Sequence, residues 1–286
     1  MIHPAVAAPV VSDAQHLSLE DFDRASVFWQ DRIDLRQARN VLLRFPERSV
    51  WSPENRECLI VGDWRNRPEI ASIVGSTAIR GRKALYIEAA RLAHESGLEA
   101  ILAIEWTERQ SPDFYHSAGY QRLDAVLPFE LEARRRPPPV FGSLPIVSLD
   151  SRHTATKEAL LDVDHAAFDW LWINSRAEFE QYGSYDGVEL WGHAEGDRLV
   201  SYAGLTRLGD WGHIDRLAVH PAWQQRGLGE ALTRFSIDRL LRAGARTVGL
   251  STQASNMRSQ RLYAKLGFRR TSTNAYQVYG QRFGNH

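Results

Sequence analysis

The alternation of apolar and polar positions changes period several times along the chain, most clearly between residues 211 and 270. Leu217 and Val219 alternate with polar neighbours and the run stops at Pro221, which predicts a half-buried strand. From Glu230 to Arg242 the period lengthens: Leu232, Phe235, Ile237, Leu240 and Leu241 recur at helical spacing, and Gly244 supplies the C-terminal stop. Between strand and helix lies the glycine-bearing loop Gln224–Gly229. Thr247–Ser251 reads as the next strand, and Asn256 falls in the polar loop after it.

The same grammar is present, in worn form, in the first half. Ser18-Leu19-Glu20-Asp21 has the form of a capping box and predicts a helix carrying Phe22, Val27 and Phe28. A second helix is predicted around Leu35–Leu43, with strands at Glu57–Asp63 and Glu69–Gly75. A helix over Ala84–Glu95, ended by Gly97, then leads to a strand at Leu98–Trp106. Ala84 to Gly97 has the spacing of Ala231 to Gly244, and Phe114-Tyr115-x-x-Ala118-Gly119-Tyr120 matches Leu262-Tyr263-x-x-Leu266-Gly267-Phe268. Such self-similarity means two copies of one domain. Aligned on the helix, Arg80 and Arg82 stand opposite Gly227 and Gly229, and Glu108 opposite Asn256. Two arginine side chains in that loop are expected to fill the space a close-docked pyrophosphate needs, leaving the first copy as scaffold, dimer surface or acceptor-site wall.

Arg134-Arg135-Arg136-Pro137-Pro138-Pro139 separates the copies, its prolines favouring an extended connector. The division expected is 1–133, a linker at 134–145, and 146–286. In the second copy a helical run from Lys157 is predicted to carry Leu160, Leu161, Phe168, Trp170, Leu171 and Trp172. A hairpin follows, Trp191–Glu195 and Leu199–Thr206 around the Gly196-Asp197 turn.

Composition narrows the function classes. The 286 residues carry 35 basic and 35 acidic side chains, so no basic excess argues for a nucleic-acid partner. One cysteine, Cys58, excludes an intrachain disulfide, fits a reducing cytoplasm, and sits beside Leu59-Ile60-Val61 as a small buried hydrophobe would. No apolar run is long enough to span a bilayer, and Met1–Val11 lacks the basic start of a signal peptide, reading as a loose tail.

The chemistry gathers at the Gln224–Gly229 loop. A helix N-terminus offers unpaired N–H groups and the positive end of the dipole. Gly227 and Gly229 let a phosphate approach the backbone, and Arg226 adds charge. Val219-His220-Pro221, Gln224-x-x-Gly227-x-Gly229, Asn256 and Leu262-Tyr263-x-x-Leu266-Gly267-Phe268 together resemble the acetyl-CoA-binding signature of the GNAT superfamily of N-acetyltransferases. The doubled layout is similar to that of the mycothiol synthases, and the C-terminal half to ribosomal-protein N-acetyltransferases. The fold implied is α/β: two tandem GNAT-like domains, each a mixed, strongly twisted sheet flanked by helices.

The resemblance implies acetyl-CoA as cosubstrate, no metal, and transfer to a primary amine within a ternary complex. Main-chain groups of Leu217, Ala218 and Val219 would flank the acyl arm. Gln224 opens the motif, the amides of Gln225, Arg226, Gly227, Leu228, Gly229 and Glu230 would meet the pyrophosphate, and Asn256 the pantetheine arm. Tyr263 matches the family's acid, which reprotonates the thiolate; the other reading is a ring packed over the cosubstrate. For the base, His213 and Asp215 lie two apart on one strand face, where imidazole can take a proton and the carboxylate set its tautomer. The family often has glutamate at the place of His213. Phe168, Trp172 and Asp215 are candidates for the acceptor wall, the two aromatics being equally readable as core. A small-molecule amine is slightly favoured over a protein N-terminus. No nucleic acid or membrane partner is expected, and a homodimer remains open. Rival readings are a non-catalytic acyl-CoA sensor, which would need neither Tyr263 nor His213, and an aminoacyl-tRNA-using transferase of the same doubled fold.

Overall fold

A computed structural model describes residues 13–106, 112–138 and 144–284. The Met1–Val11 tail, Glu108 and Pro139 lie outside the described residues. In chain order the strands are β1 (Gln15–His16), β2 (Val50–Ser52), β3 (Glu57–Trp64), β4 (Arg67–Ser76), β5 (Ala100–Glu105), β6 (Gln121–Glu132), β7 (Ile146–Leu149), β8 (Val188–Glu195), β9 (Arg198–Leu208), β10 (Trp211–Val219), β11 (Thr247–Gln253), β12 (Arg269–Arg270) and β13 (Tyr276–Arg282). The helices are α1 (Leu19–Ala25), α2 (Leu35–Arg44), α3 (Arg82–Glu95), α4 (Pro112–Ser117), α5 (Thr154–Ala167), α6 (Arg176–Gly183), α7 (Leu228–Arg242) and α8 (Met257–Lys265). None of the described helices is long and apolar enough to cross a membrane.

These elements form two compact units, one reaching to Leu123 and resumed from Val278, the other running from Asp124 to Gln277. The first orders its strands β1-β2-β3-β4-β5-β13; the second β6-β11-β10-β9-β8-β7, with β12 also on β6. Each contains one parallel contact, β4 with β5 and β10 with β11, bridged by the crossover helix α3 or α7. Both sheets are therefore mixed. The final strand of the first sequence copy, β6, runs mainly in the second unit, while the final strand of the second copy, β13, contributes Val278 and Tyr279 to the first unit. Tyr279 stacks on Tyr115, ring centroids 3.8 Å apart.

The sequence repeat has a physical counterpart in how its short helices stop. Gly119 and Gly267 are left-handed, with φ of 85° and 92°. The next amide, Tyr120 or Phe268, reaches back to the carbonyl of Tyr115 or Tyr263. Both are the same glycine-dependent C-terminal motif.

Two local readings are corrected. The run from Lys157 to Trp172 is not one helix: α5 ends at Ala167 and Phe168 is extended (φ −115°, ψ 154°). Asp164 accepts the amide of Asn174 and Asp169 that of Leu171, so side chains offer this backbone partners that a continuing helix would forgo. Arg82, expected to crowd the first copy's loop, instead turns its guanidinium back onto the carbonyl of Ala78 and lies over the ring of Phe114. What holds that loop is Glu57: its carboxylate accepts the amides of Arg80 at 2.9 Å and Gly81 at 2.8 Å, at the mouth of α3. Cys58 is buried, its thiol pushed up to about 12 by that burial.

Candidate active site

The site begins where two strands part. β10 and β11 pair in parallel only over Trp211–Ile214 and Thr247–Leu250, after which β10 runs on to Val219. On its other edge β10 stays paired with β9, but the register shifts between Ile214 and Arg216, a bulge at Asp215. The parting leaves a groove of about 410 Å³, within the range of small-ligand sites. Leu217, Ala218 and Val219 form its floor; Gln224, Gln225, Gly227, Leu228, Gly229 and Glu230 form one end. Asn256 and Phe168 also line it.

The loop end is built to receive an anion. Gln225 and Gly227 both take left-handed φ, 63° and 79°, which turns successive amides toward one concavity. No side chain caps α7, whose amphipathic pattern buries Leu228, Ala231, Leu232, Ile237 and Leu240. A Cβ placed on Gly229 would meet only Val219 Cγ2, at 3.6 Å. The carboxylate of Glu230 sits beside this positive end, but Arg234 at 2.9 Å and Lys265 at 2.6 Å neutralise it and hold it below the usual glutamate range. His220 serves its turn, accepting the amide of Ala222.

The other predicted residues are divided between the groove and its surroundings. Arg226 does not line it; its guanidinium bonds the carbonyl of Ala222. Asn256 uses its side-chain oxygen to cap α8 through Ser259 N. Tyr263 is buried one layer back, packed on Phe129 and Phe268, with Ser259 one helical turn earlier standing at the groove wall. Burial pushes its hydroxyl up to about 12, a hydrogen bond with Ser259 acting the other way. Trp172 is buried and its indole N–H donates to Asp124 at 2.9 Å, outside the groove.

His213 and Asp215 do meet: Nδ1 lies 2.7 Å from Oδ1 of the carboxylate. Since an ionised carboxylate only accepts, the proton sits on Nδ1 and Nε2 is the basic nitrogen. Nε2 has no partner among the described residues, and Trp211 stacks on the ring at 4.9 Å. Neither residue lines the groove; they stand at and before the bulge, on the strand that forms its floor.

Several residues at the site were not singled out from sequence. Trp223, Arg258, Ser259 and Leu262 line the groove. Ser259 and Leu262 lie at i+3 and i+6 from Asn256, a helical face the sequence does contain. Arg216 and Asp164 form a buried ion pair at 2.6 Å. That guanidinium also lies 3.7 Å over Phe168 and bonds the carbonyl of Trp172, tying the segment after α5 to β10.

A mixed sheet that parts over an uncapped helix N-terminus gives a groove with an anion-receiving end. Residues 157–268 match the acetyltransferase (GNAT) family, and the chain carries a domain of that family. The protein is thus an acyltransferase, and the family matched by residues 157–268 uses acetyl-CoA as cosubstrate. The [ribosomal protein bS18]-alanine N-acetyltransferase of Escherichia coli K12 is 27% identical over 121 residues, 42% of this chain and 80% of that protein. Among solved structures, a tandem GNAT protein from the clavulanic acid biosynthesis pathway superposes with a TM-score of 0.56 at 16% identity, covering 96% of this chain and 99% of that one. A GCN5-related N-acetyltransferase from Sphaerobacter thermophilus gives 0.57 at 16%, covering 94% and 95%. At such identities these two structures speak for the fold, the first of them for a tandem one.

Proposed function

We propose that this chain is an acetyl-CoA-dependent N-acetyltransferase whose second unit carries out direct transfer to a primary amine. One observation carries the reading: the loop and first turn of α7 open into a groove, whereas at the matching place before α3 the amides of Arg80 and Gly81 are taken by Glu57. The diphosphate fits the amides of 225–230. The acyl arm then follows Val219 to Leu217 and brings the thioester toward the bulge at Asp215. There His213 Nε2 takes the proton of the attacking amine, with Asp215 balancing the imidazolium. Nitrogen bonds to the acyl carbon, the carbon–sulfur bond breaks, and Tyr263 gives its proton to the departing thiolate through the hydroxyl of Ser259, which lines the groove. Cys58 plays no part as an acyl carrier: it lies in the first unit's core with its thiol held protonated.

The acceptor proposed is a small primary amine. A second reading, the N-terminal amine of a protein, is favoured by the similarity to the bS18-alanine enzyme. Calorimetric titration of acetyl-CoA into the full chain tests the core of the reading. One site is expected, and Gly229→Arg should weaken it at least about 100-fold by filling the approach to the amides. Normal binding by that variant would refute the placement of the diphosphate. Free-thiol release with spermidine and with an alanine-terminated peptide then separates the two acceptor classes, and binding without turnover would favour a sensor.

A further inference from the structure

Asp215 is held by more than His213. Its Oδ2 accepts two hydroxyl protons, from Tyr182 of α6 at 2.5 Å and from Thr206 of β9 at 2.6 Å, while Oδ1 faces the imidazole. Three elements converge on one carboxylate, and each of its oxygens is assigned. Space for the phenol is made by a glycine: a Cβ on Gly204 would lie 2.6 Å from the Tyr182 hydroxyl oxygen. Burial and the charge of Asp215 hold that hydroxyl well above its ordinary value, so it remains a donor at every working pH. The imidazole is confined as well. Trp211 covers one face, and Gly249 of β11 passes close enough that a Cβ there would sit 3.1 Å from His213 Cδ2.

We propose that Tyr182 and Thr206 are positioning residues for the acyl transfer: together they lock the Asp215 carboxylate so that it fixes the tautomer and direction of His213. This rests on the reading of His213 as the base. Two charge-assisted hydrogen bonds from rigid elements stop the carboxylate rotating about its Cβ–Cγ bond. They also draw part of its charge away from the imidazole, moderating how strongly it favours imidazolium. Among the described residues, Tyr182 is the titratable group bonded to Asp215 besides His213, Tyr202 of β9 acts on Tyr182 in turn, and β11 brings Gly249 against the imidazole.

Removing one hydroxyl leaves more charge on the carboxylate, so the imidazole should lose its proton only at higher pH. In Tyr182→Phe the acid limb of kcat/KM should move up by as much as about one pH unit, and kcat should fall about tenfold. KM for acetyl-CoA should be unchanged, because Tyr182 does not line the groove. Thr206→Val should move the profile the same way and Thr206→Ser should restore it. A readout independent of any acceptor is the His213 Nδ1 proton, seen far downfield by proton NMR in the full chain and identified by its loss in His213→Gln. In Tyr182→Phe and Thr206→Val it should move upfield or exchange into solvent. If His213→Gln is inactive while both hydroxyl variants keep the wild-type profile and resonance, the positioning inference fails and the base reading stands. Wild-type turnover in His213→Gln would overturn both. Should Tyr182→Phe not fold, Thr206→Val with its serine rescue decides the matter alone.

Discussion

Tyr263 is proposed to serve the reaction from behind the groove wall, since it does not line the groove itself. Its ring is part of the second unit's core, against Phe129 and Phe268, and burial pushes its hydroxyl up to about 12, further from ionising at neutral pH than a free phenol. A phenol kept protonated can supply a proton to a thiolate and then recover it. Tyr263→Phe keeps the ring and removes only the proton, so kcat should fall by about 10²-fold or more while acetyl-CoA affinity stays within about twofold. Steady-state thiol release and calorimetry on the same variant check this. Wild-type turnover in the variant would mean that the ring simply packs. The motif containing Tyr263 was legible in the sequence because local spacing encodes it. Tyr182, Thr206 and Gly204 were not: Tyr182 and Asp215 lie 33 residues apart, and neither flanking segment has a periodicity that points to the other.

At the scale of elements, α3 and α7 stand at the same place in the repeat and end their first turns in opposite ways. Glu57 supplies α3 with a built-in anion from the neighbouring strand; α7 has none and opens into the groove. Glu57→Ala should therefore destabilise the chain by about 1 kcal/mol, since two part-buried amides lose their acceptor. Urea unfolding measures this, and an unchanged midpoint would show that water replaces the carboxylate without cost. Sequence located both loops and both helices, and it noted the arginines. It could not show that Arg82 turns away or that a strand residue 23 positions before Arg80 reaches the amides. The end of α5 failed for a related reason. Phe168, Trp170, Leu171 and Trp172 continue an apolar pattern, but Asp164 and Asp169 bind the backbone of the segment and Arg216 draws it onto β10. A hydrophobic period carries no record of such polar ties.

At the scale of the molecule, the repeat in the sequence and the compact units do not divide the chain at the same places. The first unit takes its last strand from the end of the chain, and the second takes β6 from the first copy. Val278 and Tyr279 are fully buried there, Gln281 Nε2 donates to the carbonyl of Ala118, and the amide of Phe283 bonds Glu99. A chain ended at Gln277 should lose the cooperative unfolding of the first unit. Amide hydrogen exchange should show protection lost across β5 and α4. Retained protection would mean that β13 is an ornament to that sheet. Two copies were legible as a repeat; the exchange was not, because β6 and β13 fit either sheet by their alternation alone.

The same exchange bears on the order in which the chain can fold as it leaves the ribosome. The first half emerges with the β5 edge of its sheet unpaired, and the strand that covers it is made only after β12. Completion of the first unit must wait for synthesis of the second, so the exposed edge of β5 is a window for mispairing that stays open until β13 is made.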